Sequence, residues 1–124
     1  MLRATFRVLK PGGRVGFRTI LTTPGIDAAQ KALAADLSPY AGAGPGYREM
    51  MREAGFTRIE AIDVTTDFLA TVNGWLEAWT EQEKGIVPIM GREDYEERML
   101  RRRNVLSAVH RGVLQRQLVT GHRP

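Results

Sequence analysis

A Lys-Pro-Gly-Gly turn at residues 10–13 constrains the fold of this 124-residue chain more than any other feature. Pro11 fixes its own φ angle and disfavours the α-helical region for Lys10, so a preceding helix must end there. That helix would carry three apolar side chains on one face, Leu2, Phe6 and Leu9. Gly12 and Gly13 can take the positive φ angles that a sharp reversal needs.

The apolar residues after the turn predict a strand, with Val15, Phe17 and Ile20 as its members. The pattern is therefore helix, turn, strand. A surface turn or a hairpin would also explain Pro-Gly-Gly if it stood alone. The rest of the chain must therefore show whether the helix-turn-strand pattern is the better interpretation.

Composition excludes several kinds of protein. With 43% hydrophobic and 26% charged residues, the chain is typical of a single globular domain. It has no cysteine, and its two histidines, His110 and His122, belong to no ligand-spaced cluster, so we expect neither disulfides nor a metal site. No apolar run approaches the roughly 20 residues of a membrane span, and no signal peptide begins the chain. We therefore expect a cytoplasmic protein.

The net charge of +4 arises entirely after residue 91. Nucleic acid could be attracted to the C-terminal arginines, which include Arg101, Arg102 and Arg103. Acidic residues at 93–97 precede these arginines, which is the charge order that a helix dipole favours. Because no aromatic stacking pattern accompanies the arginines, nucleic-acid binding is the less favoured interpretation.

Hydrophobic periodicity predicts the remaining elements. We expect helices at 26–37, 47–54, 67–84 and 92–110, strands at 57–64 and 113–120, a glycine-rich loop at 38–46 and a break at 85–91 that contains Pro88. Gly55 would end the third helix in the left-handed conformation, with Phe56 folded back onto Met51. This order of helices and strands predicts the α/β class.

Two segments resemble class I S-adenosylmethionine-dependent methyltransferases. Arg7-Val8-Leu9-Lys10-Pro11-Gly12-Gly13-Arg14 is similar to the family's turn before strand five, and Glu53-Ala54-Gly55-Phe56 to the turn before strand six. Residues 112–124 resemble, more weakly, the antiparallel seventh strand. The resemblance implies the C-terminal part of a Rossmann-like sheet of three strands, in which strand seven lies between strands five and six.

The resemblance also implies a division of the chain. Residues 1–66 would be the strand-five to strand-six region of a single partial domain, and 112–124 the final strand and tail. Residues 67–111 would be a helical insertion of the kind that family members use to cover a substrate.

The family holds its cofactor with a glycine-rich loop after strand one and a ribose-binding carboxylate after strand two, and neither is present in this sequence. We therefore assign no cofactor-binding residue. We expect this truncated chain, on its own, not to bind S-adenosylmethionine tightly and to be inactive.

Ligands of open α/β sheets bind beyond the carboxyl ends of the strands. That edge suggests Arg18 and Thr19 as substrate-binding residues, although a surface role is more common for such an arginine. An aromatic stripe could line an apolar pocket or simply belong to the core: Phe68, Trp75 and Trp79. No catalytic residue can be assigned.

Three hypotheses follow. The first is the C-terminal, substrate-side portion of a methyltransferase that acts on a small molecule. The second is a non-catalytic module that pairs with another copy or an N-terminal partner chain through the open edge of strand five. The third is nucleic-acid binding through the C-terminal arginines.

Overall fold

A computed structural model describes residues 1–38 and 46–124. Most of the predicted glycine-rich loop, at 39–45, lies outside these residues. The helices are α1 (Leu2–Val8), α2 (Ala28–Leu37), α3 (Tyr47–Glu53), α4 (Thr65–Glu81), α5 (Glu83–Met90) and α6 (Arg92–His110). The strands are β1 (Arg14–Thr22), β2 (Thr57–Asp63) and β3 (Leu114–His122).

The three strands form one sheet in the order β1-β3-β2. β3 is antiparallel to both neighbours, so β1 and β2 run parallel to each other. Val119, in the middle of β3, is opposite Phe17 on one side and Ala61 on the other. The predicted sheet, with its last strand central and antiparallel, is confirmed.

One face of the sheet packs against α1 and α3. Its buried residues are Leu2, Met51, Phe56 and Val119. Gly55 has φ +101°, and the Phe56 N–H donates to the Met51 carbonyl at 3.1 Å, which folds the chain back at the end of α3. The predicted glycine cap is confirmed, and it places Phe56 in the core.

The other face packs against α2, α4 and α6 near the carboxyl ends of β1 and β2. The cluster there includes Ala34, Phe68, Val72 and Ala108, with Ile20 and Leu114 contributed by the sheet. The described helices thus cover this face near the carboxyl ends of β1 and β2, and a cleft lies at the opposite end, beside Arg14 and His122.

The Lys-Pro-Gly-Gly turn is secured by the far end of the chain. Gly12 has φ +79°, and its N–H donates to the Arg123 carbonyl at 2.8 Å. The Arg123 guanidinium donates to the carbonyls of Phe6 (2.9 Å), Arg7 (3.1 Å) and Leu9. The last carbonyls of a helix lack N–H donors within the helix. The Arg123 guanidinium therefore supplies hydrogen-bond donors to the carbonyls at the end of α1.

The predicted break at 85–91 is wrong, because residues 83–90 form α5 with Pro88 inside it. Proline at this position removes one N–H donor, the one that would reach Lys84, and leaves the rest of a short helix intact. Three half-buried residues pack this helix against its neighbours: Ile86, Val87 and Met90. At its end, the Gly91 N–H donates to the Val87 carbonyl at 2.8 Å. Tertiary packing therefore outweighs the local penalty.

Within residues 1–38 and 46–124, no helix is long and apolar enough to cross a membrane. The same residues contain no group of three potential metal-binding side chains.

Candidate functional site

The carboxyl ends of β1 and β2 lie at the same end of the sheet, where α4 begins. This end of the sheet is called the sheet edge, and it is distinct from the lateral edge along β1. A polar corner stabilises this edge: Asp63 Oδ1 accepts from the Thr65 N–H at 2.9 Å and also from the Thr65 hydroxyl. The same hydroxyl oxygen accepts from the Arg116 N–H at 3.0 Å, and the Val64 N–H donates to the Arg116 carbonyl at 2.9 Å. The corner therefore fixes β3 against the start of α4.

Arg116 is the residue at this edge that sequence reasoning missed. Its guanidinium carbon lies 4.6 Å from the centre of the Phe68 ring. Its Nε is buried and has no hydrogen-bond partner within the described residues. Because a buried guanidinium N–H without an acceptor is costly, Arg116 is a candidate for binding an external acceptor group.

Arg18 and Thr19 lie on opposite faces of the sheet. Successive strand residues point to opposite faces, and Arg18 lies on the face of its neighbours Leu118 and Arg116, whereas Thr19 lies on the other. Arg18 is exposed and Thr19 half-buried. The register thus brings Arg18 near Arg116 and separates it from Thr19.

The aromatic stripe of α4 is divided. Phe68 is only 6% exposed and packs with Val72 in the core. Trp75 is 51% exposed and lies about 10 Å further along the helix, at a rise of 1.5 Å per residue. Phe68 therefore belongs to the sheet edge, and the tryptophans form a separate group.

That second group is centred on Arg102 of α6. The Arg102 guanidinium carbon lies 4.1 Å from the centre of the Trp79 ring and 5.5 Å from that of Trp75. Trp79 stacks with Tyr95 at 6.1 Å, and the Tyr95 hydroxyl donates to the Trp79 carbonyl at 3.0 Å. Burial lowers the pKa of Arg102, and the nearby Arg98 lowers it further.

A cleft of about 580 Å³ lies at the opposite end of the sheet, beside Arg14, Arg58, Glu60 and His122. It adjoins the amino ends of β1 and β2. Ligands of open α/β sheets bind at the carboxyl ends, so this cleft is at the wrong edge for that role.

Each of the two described strand-to-helix connections has an aspartate carboxylate at the start of its helix. The methionine carboxylate of S-adenosylmethionine would be stabilised by free backbone N–H groups at such a connection. The Asp27 carboxylate already accepts from the Gln30 N–H at 2.8 Å at the start of α2. Asp63 does the same for Thr65 at the start of α4. Both connections therefore carry an anion of their own, which would repel the cofactor's carboxylate.

No protein-family model matches this sequence, and no curated protein is similar to it. Solved structures are similar in three dimensions. Phosphoethanolamine N-methyltransferase 2 of Haemonchus contortus, solved with phosphomonomethylethanolamine and S-adenosylhomocysteine, has a TM-score of 0.80 at 17% identity over 99% of this chain. A putative sarcosine dimethylglycine methyltransferase from Galdieria sulphuraria has a TM-score of 0.83 at 15% identity over 98%. This chain has a methyltransferase fold.

A cyclopropane synthase from Mycobacterium tuberculosis is also similar, with a TM-score of 0.75 at 19% identity over 98% of this chain. The chain spans 29%, 46% and 48% of the lengths of these three proteins. The resemblance predicted from the two turns is thus confirmed at the level of the fold, over part of the length of these proteins.

Proposed function

We propose that this chain is the C-terminal, substrate-side portion of an S-adenosylmethionine-dependent methyltransferase that acts on a small molecule. The observation that carries the proposal is the sheet order β1-β3-β2 with β3 antiparallel to both neighbours. Structural similarity to three methyltransferase-fold proteins over at least 98% of the chain supports it.

In this proposal the cofactor is bound by a segment outside these 124 residues, or by a partner chain, and the protein is cytoplasmic. The two carboxylates at the starts of α2 and α4 support this division, because their charge disfavours a second anion at either connection. This chain alone then transfers no methyl group.

The methyl acceptor would bind at the carboxyl edge of β1 and β2, beneath the insertion formed by residues 67–111. Methyl transfer is a displacement that depends chiefly on positioning. Arg18 and Arg116 would hold an anionic group of the acceptor, and Thr19 would border the edge on its other face. Phe68 would orient Arg116, while Trp75 and Trp79 would lie at the outer limit of the site.

A second candidate function is a non-catalytic module that pairs through β1. Within the described sheet β1 pairs with β3 alone, so its other edge is open along nine residues. An unpaired edge of this length readily accepts another strand. A second copy or a cofactor-binding chain would supply that strand.

The deciding experiment is to sequence the gene upstream of Met1, express any in-frame extension together with this chain, and measure S-adenosylhomocysteine release with a panel of small acceptors. We expect release from the extended protein and none from the 124 residues alone. Calorimetry provides the check: micromolar binding of S-adenosylmethionine by the 124-residue chain would contradict the proposed division.

A further inference from the structure

A cleft on the outer surface of α6, separate from the sheet edge, has the chemistry of an anion site. It encloses about 400 Å³ and is lined by Asp94, Glu97, Arg98, Arg101 and Arg102. Glu97 pairs with Arg101 at 2.8 Å. The five side chains carry three positive and two negative charges, so the cleft keeps a positive excess.

Arg102 is held in an orientation that leaves donors unused. Its guanidinium lies over Trp79 and Trp75, and such stacking uses the flat face of the group. The N–H groups lie in the guanidinium plane rather than against the ring faces, and they need acceptors of their own. Nη1 is buried and has no acceptor within the described residues.

Arg98 lies four residues before Arg102, so the two cations are neighbours on one helix face. Like charges at this spacing repel, and the lowered pKa of Arg102 reflects both its burial and this neighbour. An anion bound between the two guanidinium groups would relieve the repulsion and accept hydrogen bonds from their N–H groups.

We propose that this cleft binds a small oxyanion, phosphate or carboxylate, through Arg98 and Arg102. Planar guanidinium groups match the paired oxygens of both anions. The carboxylates of Asp94 and Glu97 border the cleft and would repel an extended polyanion, which favours a small ligand over nucleic acid. Among the described residues, the site is formed by α6 and by the two tryptophans of α4, so it can be tested independently of methyl transfer.

The chain carries its own probe for this site. Its two tryptophans, Trp75 and Trp79, both lie beside Arg102, so intrinsic tryptophan fluorescence reports on this cluster. We would titrate the 124-residue chain with sodium phosphate and, separately, with sodium acetate, holding ionic strength constant with sodium chloride. The expected result is a saturable fluorescence change, and the anion that saturates at lower concentration identifies the ligand class.

Matched variants decide whether the arginines are responsible. Arg98→Met leaves the aromatic stack in place and should weaken binding roughly tenfold or more, as loss of a charged hydrogen bond does. Arg102→Met should abolish the response. Arg103→Met is the control, because Arg103 is exposed and does not line the cleft, and it should bind as the unmodified chain does.

Two results would overturn the proposal. A linear, non-saturating response, or one that Arg98→Met leaves unchanged, would mean that Arg102 only joins α4 to α6. Tighter binding of a short oligonucleotide than of either small anion, with steep salt dependence, would assign this face to nucleic acid instead.

Discussion

Gly55 shows how a single backbone angle determines part of the core. Its φ of +101° lies in the left-handed region, and a Cβ there would be 3.1 Å from the Phe6 ring. We expect Gly55→Ala to lower the free energy of unfolding by roughly 1 to 3 kcal/mol, through backbone strain and displacement of that ring. Urea denaturation measures the change.

Gly74→Ala is the matched control for that substitution. Gly74 lies inside α4, and a Cβ there meets no atom within 4 Å. Alanine favours helix over glycine, so we expect stability to rise by up to about 1 kcal/mol. If both variants changed stability in the same direction, the strain assigned to Gly55 would be wrong.

Arg116 allows a test of the proposed acceptor site in the extended, active protein. Arg116→Met should raise the KM for an anionic acceptor roughly tenfold, because one charged hydrogen bond is lost, and should have less effect on a neutral acceptor. Arg111→Met, at an exposed position after α6, should leave both KM values unchanged. Equal losses for anionic and neutral acceptors would indicate that Arg116 only supports the Thr65 corner.

Residue roles were harder to predict from sequence than the elements that carry them. Gly55 could be assigned because its neighbours Ala54 and Phe56 define a local helix cap. Arg116 could not, since its surroundings come from Phe68 and Thr65, which are about fifty positions away in the chain. The separation of Phe68 from Trp75 and Trp79 on α4 could not be predicted either, because helical spacing does not show where the sheet beneath the helix ends.

Among the helices, α2 has the clearest start. Asp27 accepts from the Gln30 N–H at 2.8 Å, and the Gln30 side chain accepts from the Asp27 N–H at 3.1 Å, forming a capping box. We expect Asp27→Ala to lower stability by about 1 kcal/mol and Asp27→Asn to change it little. Thermal denaturation of the two variants compares them directly, and an equal loss in both would mean that charge rather than capping matters.

Helices ended where proline or glycine predicted an end, unless packing against other helices opposed that end. Pro11 and Gly12 end α1 as expected, and Gly112, with φ +73°, separates α6 from β3. Pro88 did not end a helix, because the packing of α5 against α4 and α6 is not encoded in the local pattern.

For the whole molecule, the hydrogen-bond register of β1 determines which backbone groups lie on its open edge. Thr23 donates to the Val113 carbonyl and Arg123 donates to that of Gly13, so odd-numbered residues from 13 to 23 bond to β3. Antiparallel pairing alternates such residues with ones that point away. The backbone groups of even-numbered residues therefore face the unpaired edge.

Gly16→Pro should block pairing at this edge without disturbing β3. It removes an outward N–H, and a Cβ at Gly16 meets nothing closer than 3.6 Å. In sedimentation velocity over a dilution series, we expect the unmodified chain to self-associate and Gly16→Pro to weaken association at least about tenfold. Thr19→Pro, which removes an inward donor, should unfold the sheet. A chain that stays monomeric at high concentration would contradict pairing between copies.

The central position of β3 has a consequence for biosynthesis. β3 follows every other element in the chain, yet it is the strand that joins β1 to β2. Until β3 has been translated, β1 and β2 are present without the strand that joins them. Pairings such as Arg14 with His122 close loops of more than a hundred residues, so this sheet can form only once β3 has been translated. A stop codon at the start of β3, at residue 114, would therefore remove the middle of the sheet rather than shorten its edge.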